Sequence, residues 1–468
     1  MRPTRFLTWW LLFCAPAASA QDLAGCVLEL ESTERLYADC GTLAVPLDYA
    51  MPDGDRIELS FARVPALAAN PRPDPLVLIA GGPGQSTIDL YLQMRGAFAL
   101  VRRDRDIVLL DQRGTGRSAD GFACTFADDI DFQTASNTLL EELMSDCLRA
   151  LERDPRFYTT SIAARDLDAL REALGVAEWN LYGVSYGTRV AQHYLRRYPE
   201  GSRRLILDGV VPTTLVLGPD MAANAQNALD GIFERCARHA ECDERFGDLA
   251  SKFDHVLYEL AGAADRNGPT LEHLQTVTRL MSYSATTAAL LPLTIDATFA
   301  GRLETLLAQA EYVAAALRES LAFPMHNSVV CAEDYPYFGA LSEPALSDAY
   351  LGPALTDALG AICSIWPRGV ADEDFKDPLV SDHPVLILSG GNDPATPARY
   401  GDEAIAAGLS NALHVVGRDQ GHGMAAIGCT PRLMAEFLEA EQPTQIDTSC
   451  IEREVPTPFF LSAAGPGP

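Results

Sequence analysis

Positive charge is scarce in this 468-residue chain: 36 Lys and Arg stand against 64 Asp and Glu, a formal net charge of −28. A surface of that sign repels phosphate backbones, and no basic run supplies a local groove, so nucleic-acid binding is excluded. The chain contains no CxxC pair and no HExxH, which removes the common zinc arrangements, and it shows no cofactor fingerprint. Past the first twenty residues no apolar run approaches the ~20 residues of a membrane span. Internal repeats are missing, and low complexity is confined to residues 463–468. With 48% apolar and 21% charged residues, a disordered acidic tail is excluded as well.

What is present starts at the N-terminus. Arg2 and Arg5 precede an apolar run over 6–14, and Ala18-Ser19-Ala20 follows it. That order is the pattern of a cleaved export signal over 1–20. Phe13, bulky where lipidation wants a small residue, argues against a lipoprotein. The expectation is an exported protein, periplasmic or secreted, with no membrane attachment after cleavage. Ten cysteines lie beyond Cys14, an even number that suits disulfides in an exported chain. Connectivity does not follow from sequence. Pairing sequential neighbours gives Cys26–Cys40, Cys124–Cys147, Cys236–Cys242, Cys331–Cys363 and Cys429–Cys450. For Cys236 and Cys242 one helix holding both would rise about 9 Å between them. Bridged α-carbons lie within about 7 Å, so the helix is expected to end between them, near 238–240.

Strand-like runs at 57–64, 76–80, 107–110, 179–182 and 205–207 alternate with amphipathic helical stretches at 161–174 and 189–197. That alternation predicts a parallel sheet covered on both faces, an α/β fold. From 212 to 378 the chain turns Ala/Leu/Glu/Arg-rich with helical spacing, as at 221–237 and 298–320. Strand patterns resume at 385–388 and 413–416. The reading is a core in two parts, 21–211 and 379–468, interrupted by a helical cap over 212–378. Sites in open parallel sheets lie at the carboxyl ends of the strands, so the cap is expected to roof the site.

Gly183-Val184-Ser185-Tyr186-Gly187 follows one of those strands and precedes a helix. This GxSxG holds a serine on a sharp turn whose crowding only glycine relieves. An acid and a histidine should follow, each after a later strand. Asp393 leaves the 385–388 strand and His422 leaves the 413–416 strand. Asp419 is also near, but shares the loop of His422, so position favours Asp393. The seven other histidines (His193, His239, His255, His273, His326, His383 and His414) read as structural or surface residues. Charge developing on a carbonyl oxygen needs donors. The candidates are the Tyr186 N–H and one from Gly81-Gly82-Pro83-Gly84, taken as Gly82. A Gly-rich loop after a strand also suits phosphate, but no Lys-Ser/Thr follows it.

Taken together, Gly81-Gly82-Pro83-Gly84-Gln85-Ser86, Asp111-Gln112-Arg113-Gly114-Thr115-Gly116-Arg117-Ser118 and the GxSxG resemble the α/β-hydrolase prolyl iminopeptidases and tripeptidyl aminopeptidases. The Gly421-His422-Gly423 motif with Cys429 and Cys450, and Cys331-Ala332-Glu333-Asp334 with Cys363, are similar to the exported tripeptidyl-aminopeptidase branch. Ala80 stands where cytosolic prolyl iminopeptidases usually have His, which favours that exported branch. The resemblance implies an α/β-hydrolase fold, a Ser185-Asp393-His422 triad, no cofactor or metal, and short peptides with a free N-terminus as substrates. It also implies that roof carboxylates, here Glu333 and Asp334, bind the substrate's α-amino group. Arg113 and Arg117 are expected to tie their loop to neighbouring carboxylates. The alternatives are a carboxylesterase on the same triad and a binding protein without activity.

Overall fold

The computed structural model describes residues 23–30, 35–127, 130, 132, 134–262, 268–340 and 349–466; the expected export signal lies outside them. Nine strands form one sheet: β1 (Ala24–Leu28), β2 (Leu36–Pro46), β3 (Arg56–Val64), β4 (Leu76–Ile79), β5 (Ile107–Leu110), β6 (Trp179–Val184), β7 (Ser202–Asp208), β8 (Val385–Gly390) and β9 (Ala412–Gly417). Their order is β1-β2-β3-β5-β4-β6-β7-β8-β9. The pairs β1–β2, β2–β3 and β3–β5 are antiparallel, and all pairs from β5 across to β9 are parallel.

Successive side chains on a strand point to opposite faces, and here both faces are dry. Val77, Val108, Leu181, Leu205 and Ile387 enter one core, while Leu78, Leu109, Tyr182, Ile206 and Leu386 enter the other. This explains the unbroken apolar runs of the inner strands. The first core is closed by Leu167, Leu170, Val190 and Tyr194 of the helices Thr160–Ala173 and Tyr186–Arg197. The second is closed by Tyr91 and Leu92 of Thr87–Met94 and by Leu433 and Phe437 of Thr430–Glu439. Each fully buried Leu, Val or Phe contributes about 1.5–3 kcal/mol. The strands β1 and β2 escape the sequence pattern because they lie at the antiparallel end of the sheet, with exposed and half-buried positions instead of apolar runs.

Between β7 and β8 the described residues hold helices and no strand, the longest being Pro219–Arg238 and Glu304–Ser320. Leu229, Ile232, Phe246, Phe253, Val277, Ile295 and Leu306 give this cap a core of its own. All five cysteine pairs are bridged. The helix holding Cys236 ends at Arg238, His239 is extended (φ −95°, ψ 110°), and a new helix starts at Ala240. That break brings the two α-carbons to 5.2 Å. Among the described residues no helix is long and apolar enough to cross a membrane.

Candidate active site

Ser185 joins β6 to the helix Tyr186–Arg197 at φ 55°, ψ −125°, a conformation that side-chain-bearing residues rarely adopt. The flanking glycines permit it. A Cβ on Gly183 would stand 2.4 Å from the Gly187 carbonyl oxygen, and one on Gly187 2.2 Å from that of Ile79. The Ser185 N–H donates to the Asp208 carbonyl at 2.9 Å. Its own carbonyl accepts from the Thr188 hydroxyl at 2.6 Å.

Asp393 leaves β8 and His422 leaves β9, and the two meet with Oδ2 and Nδ1 2.7 Å apart. Asp393 also accepts the N–H groups of Ala395 and Thr396 at 2.8 and 2.9 Å, and the Thr396 hydroxyl at 2.8 Å. Burial works against its charge, but His422 and these donors outweigh it and hold its pKa below the ordinary carboxylate value. Burial likewise pulls His422 down, while the charge and hydrogen bond of Asp393 prevail and leave it above the usual 6.5. The imidazole lies over Gly209, where a Cβ would come within 3.1 Å of Cε1. Asp419, the other acid on the histidine's loop, faces Arg238 at 3.4 Å.

Asp208 was not legible as a site residue. Its carboxylate, fully buried at the end of β7, accepts the N–H groups of Met424 and Ala425 at 2.7 and 2.8 Å. The Tyr182 hydroxyl donates to it at 2.8 Å. One residue thus ties the serine turn, by its carbonyl, to the histidine loop, by its side chain.

The Gly81–Gly84 loop leaves β4 against the serine: a Cβ on Gly81 would stand 2.9 Å from Ser185 Cβ. Gly82 adopts φ 105°. Tyr186 opens its helix, where N–H groups lack intrahelical acceptors. Asp111, wholly buried, organises this region by accepting from the Ser86 hydroxyl and from the N–H groups of Ile88 and Arg117 at 2.9–3.1 Å. Arg113 makes a buried two-pronged pair with Asp166 at 2.6 and 2.7 Å, and Arg117 bonds Asp89 at 3.0 Å. From the cap, the Ala322 N–H donates to Gly84 O at 3.0 Å. His326 Nδ1 lies 3.2 Å from the Pro83 carbonyl. Burial lowers His326 to about 4, so it donates there as a neutral ring.

Glu333 and Asp334 end the helix Phe323–Glu333 and are both about 1% exposed. Glu333 accepts the N–H and hydroxyl of Thr160 at 2.7 and 2.9 Å. Asp334 is gripped by Arg189 at 2.9 and 3.0 Å and by Lys376 at 3.1 Å. Every carboxylate oxygen already has a protein donor, and two acids face two cations. The pair expected to hold a substrate ammonium thus sits in a cap–core ion network with Arg189, on the helix that follows Ser185, and with Lys376. Three other histidines also have protein partners: His193 with Asp372, His414 with Asp402 and Ser389, and His383 with Ser381. No cluster of potential metal ligands occurs among the described residues.

The sheet order and the serine at the β6–helix turn are those of the α/β-hydrolase fold. The sequence profile of the family described as alpha/beta hydrolase fold matches residues 74–425, and the chain belongs to that family. It is 31% identical over 221 residues to the serine protease Hip1 of Mycobacterium tuberculosis strain H37Rv, covering 43% of this chain and 42% of that protein. Against the tripeptidyl aminopeptidase of Streptomyces lividans it is 33% identical over 191 residues, 37% and 35% of the two chains. Against carboxylesterase B of Mycobacterium tuberculosis strain CDC 1551 the figures are 32% over 232 residues, 45% and 44%. The chain spans less than half the length of each of these relatives.

Proposed function

We propose that this chain is an exported serine peptidase that releases residues from the free N-terminus of short peptides. The observation that carries the chemistry is the 2.7 Å Asp393–His422 contact beside the serine turn. In this reading His422 takes the Ser185 proton as Oγ attacks the scissile carbonyl, and Asp393 holds the imidazole tautomer and stabilises the imidazolium. The N–H groups of Tyr186 and Gly82 receive the oxyanion, each worth about 3 kcal/mol in the transition state. His422 then protonates the departing amine, and water, deprotonated by the same ring, releases the acyl group from Ser185. The peptide substrate rests on the GGPG and DQRGTGRS motifs and on the peptidases among the relatives. The ammonium is left unassigned, because Glu333 and Asp334 already meet Thr160, Arg189 and Lys376.

The second reading, a carboxylesterase, draws on the protein partners already held by Glu333 and Asp334 and on the esterase relative. A panel of peptidyl fluorogenic substrates with free and blocked N-termini, set beside simple acetyl esters, separates the two. A peptidase of this type requires the free amine. Hydrolysis of esters with indifference to the amine leaves the esterase reading.

A further inference from the structure

Arg279 is set apart from the other cations of the cap. It lies in the last turn of the helix Leu271–Met281. No carboxylate comes within 4 Å of it among the described residues, in a chain with a large excess of acids. Among the described residues its guanidinium donates one hydrogen bond, to the Tyr283 hydroxyl at 3.3 Å. Its Nε is buried and has no acceptor among the described residues. An unpaired, partly desolvated guanidinium is costly unless something else meets its charge.

Its surroundings say where that charge points. The Arg279 Cζ stands 5.9 Å from the centre of the Tyr283 ring, and the same ring packs edge-on against His422 with centres 5.1 Å apart. The Tyr283 carbonyl accepts the His422 N–H at 2.7 Å, so this stretch of the cap lies directly on the histidine loop. His326, which touches the Pro83 carbonyl in the glycine loop, is lowered chiefly by burial, against the Pro83 hydrogen bond, and further by the charge of Arg279. Arg279 also acts on Tyr350, whose hydroxyl is buried and has no hydrogen-bond partner among the described residues. The cation therefore stands on the cap side of His422, the residue that in the reading above protonates the leaving group.

We propose that Arg279, assisted by the Tyr283 and Tyr350 hydroxyls, forms a subsite for a carboxylate on the leaving portion of the substrate. A guanidinium offers paired N–H donors in the plane that a carboxylate accepts. In a peptide the carboxylate is either the C-terminus of a short chain or an acidic side chain just past the cleaved bond. The first source restricts the enzyme to very short peptides. The subsite deepens the hydrolase reading above and rests on it.

The test compares kcat/KM for alanine peptides of two to four residues as free acids and as C-terminal amides. Peptide amides with Asp or Asn after the cleaved bond form a second series. The esters 4-acetoxybenzoate and methyl 4-acetoxybenzoate form a third. The anionic member is expected to be preferred roughly 10- to 100-fold, the size of a charge-assisted hydrogen bond. Arg279→Gln should bring that ratio close to one, chiefly through KM, and Arg279→Lys should restore part of it. Preference confined to the free acids identifies the C-terminus, and preference confined to Asp over Asn identifies the side chain. If peptides resist hydrolysis but the ester pair shows the ratio and its loss, the peptidase reading fails and the subsite stands. A wild-type ratio near one in all three series overturns the subsite. So does an Arg279→Gln variant that loses anionic and neutral substrates equally.

Discussion

Asp208 holds Ser185 and the histidine loop in one grip: its carbonyl accepts the Ser185 N–H at 2.9 Å, and its carboxylate accepts two N–H groups just past His422. An amide in that place presents an NH2 to one of those backbone donors and leaves it buried and unpaired. Asp208→Asn is expected to cost about 1–3 kcal/mol in urea unfolding. Turnover should fall at least ~10-fold with KM little changed, because a misplaced base weakens the transition state alone. Unaltered kcat in the folded variant would show that the loop keeps its position unaided.

Ser185→Ala removes the nucleophile from a turn whose shape is set by the backbone and its glycines. Turnover should drop about 10⁶-fold with unchanged unfolding behaviour. A fluorophosphonate should label the wild type at Ser185 and leave the variant unlabelled. Labelling of another serine, or near-normal turnover, removes Ser185 from the mechanism.

The pH profile follows from the Asp393–His422 contact. The base works when neutral, and Asp393 holds its pKa above 6.5. The acid limb of kcat/KM is therefore expected to have its midpoint above pH 6.5. Asp393→Asn removes the charge that raises His422, so the limb should move down while turnover falls about 10⁴-fold. A limb that stays in place under that substitution counts against Asp393 as the partner.

Glu333 and Asp334 should show themselves in stability. Asp334→Ala takes the hydrogen-bonded carboxylate from Arg189 and Lys376 and leaves only Glu333, 3.5 Å from Arg189, to face them, with an expected loss of about 3–5 kcal/mol. Burial pushes Glu333 up to about 7. Between its unfolded value and that pH the folded state binds the extra proton, so this contribution to stability is lost as pH rises through about 7. Urea midpoints at pH 5 and pH 8 measure it, and Glu333→Gln should flatten the difference. A selective rise in KM for free-amine peptides, with no change in stability, would instead restore the ammonium role.

Cys331–Cys363 closes a loop with a sequence separation of 32 and ties the helix ending in Glu333 to the helix Ala354–Ile365. By chain entropy its removal costs about 3–4 kcal/mol. The double Cys331→Ser/Cys363→Ser variant should lose that much by urea unfolding. Non-reducing peptide mapping of the wild type should recover the five bridges and no free thiol.

Much of the sheet was legible because its inner strands are dry on both faces, so that runs such as 107–110 and 385–388 carry no polar residue. β1 and β2 were not, since strands left half-exposed at the antiparallel end of the sheet need neither continuous nor strictly alternating apolar residues. The break between Cys236 and Cys242 followed from helical rise, given a bridge between the two. The choice of Asp393 over Asp419 came from strand position, and the fold turns Asp419 toward Arg238.

The sequence by itself determined where the chain must turn sharply, because only glycines at 183 and 187 leave room for Ser185 between β6 and its helix. It also determined which loops carry an acid and a histidine. Partnership was decided by tertiary structure. Glu333 and Asp334 read as a free acidic pair until packing brought Thr160, 173 residues from Glu333, and Arg189, 145 residues from Asp334, against them. Asp208 gained its meaning only when Met424, 216 residues on, folded back onto it. Local composition fixes backbone shape and burial within a few residues. The charge and hydrogen-bond balance of a buried group depends on what the whole chain packs around it.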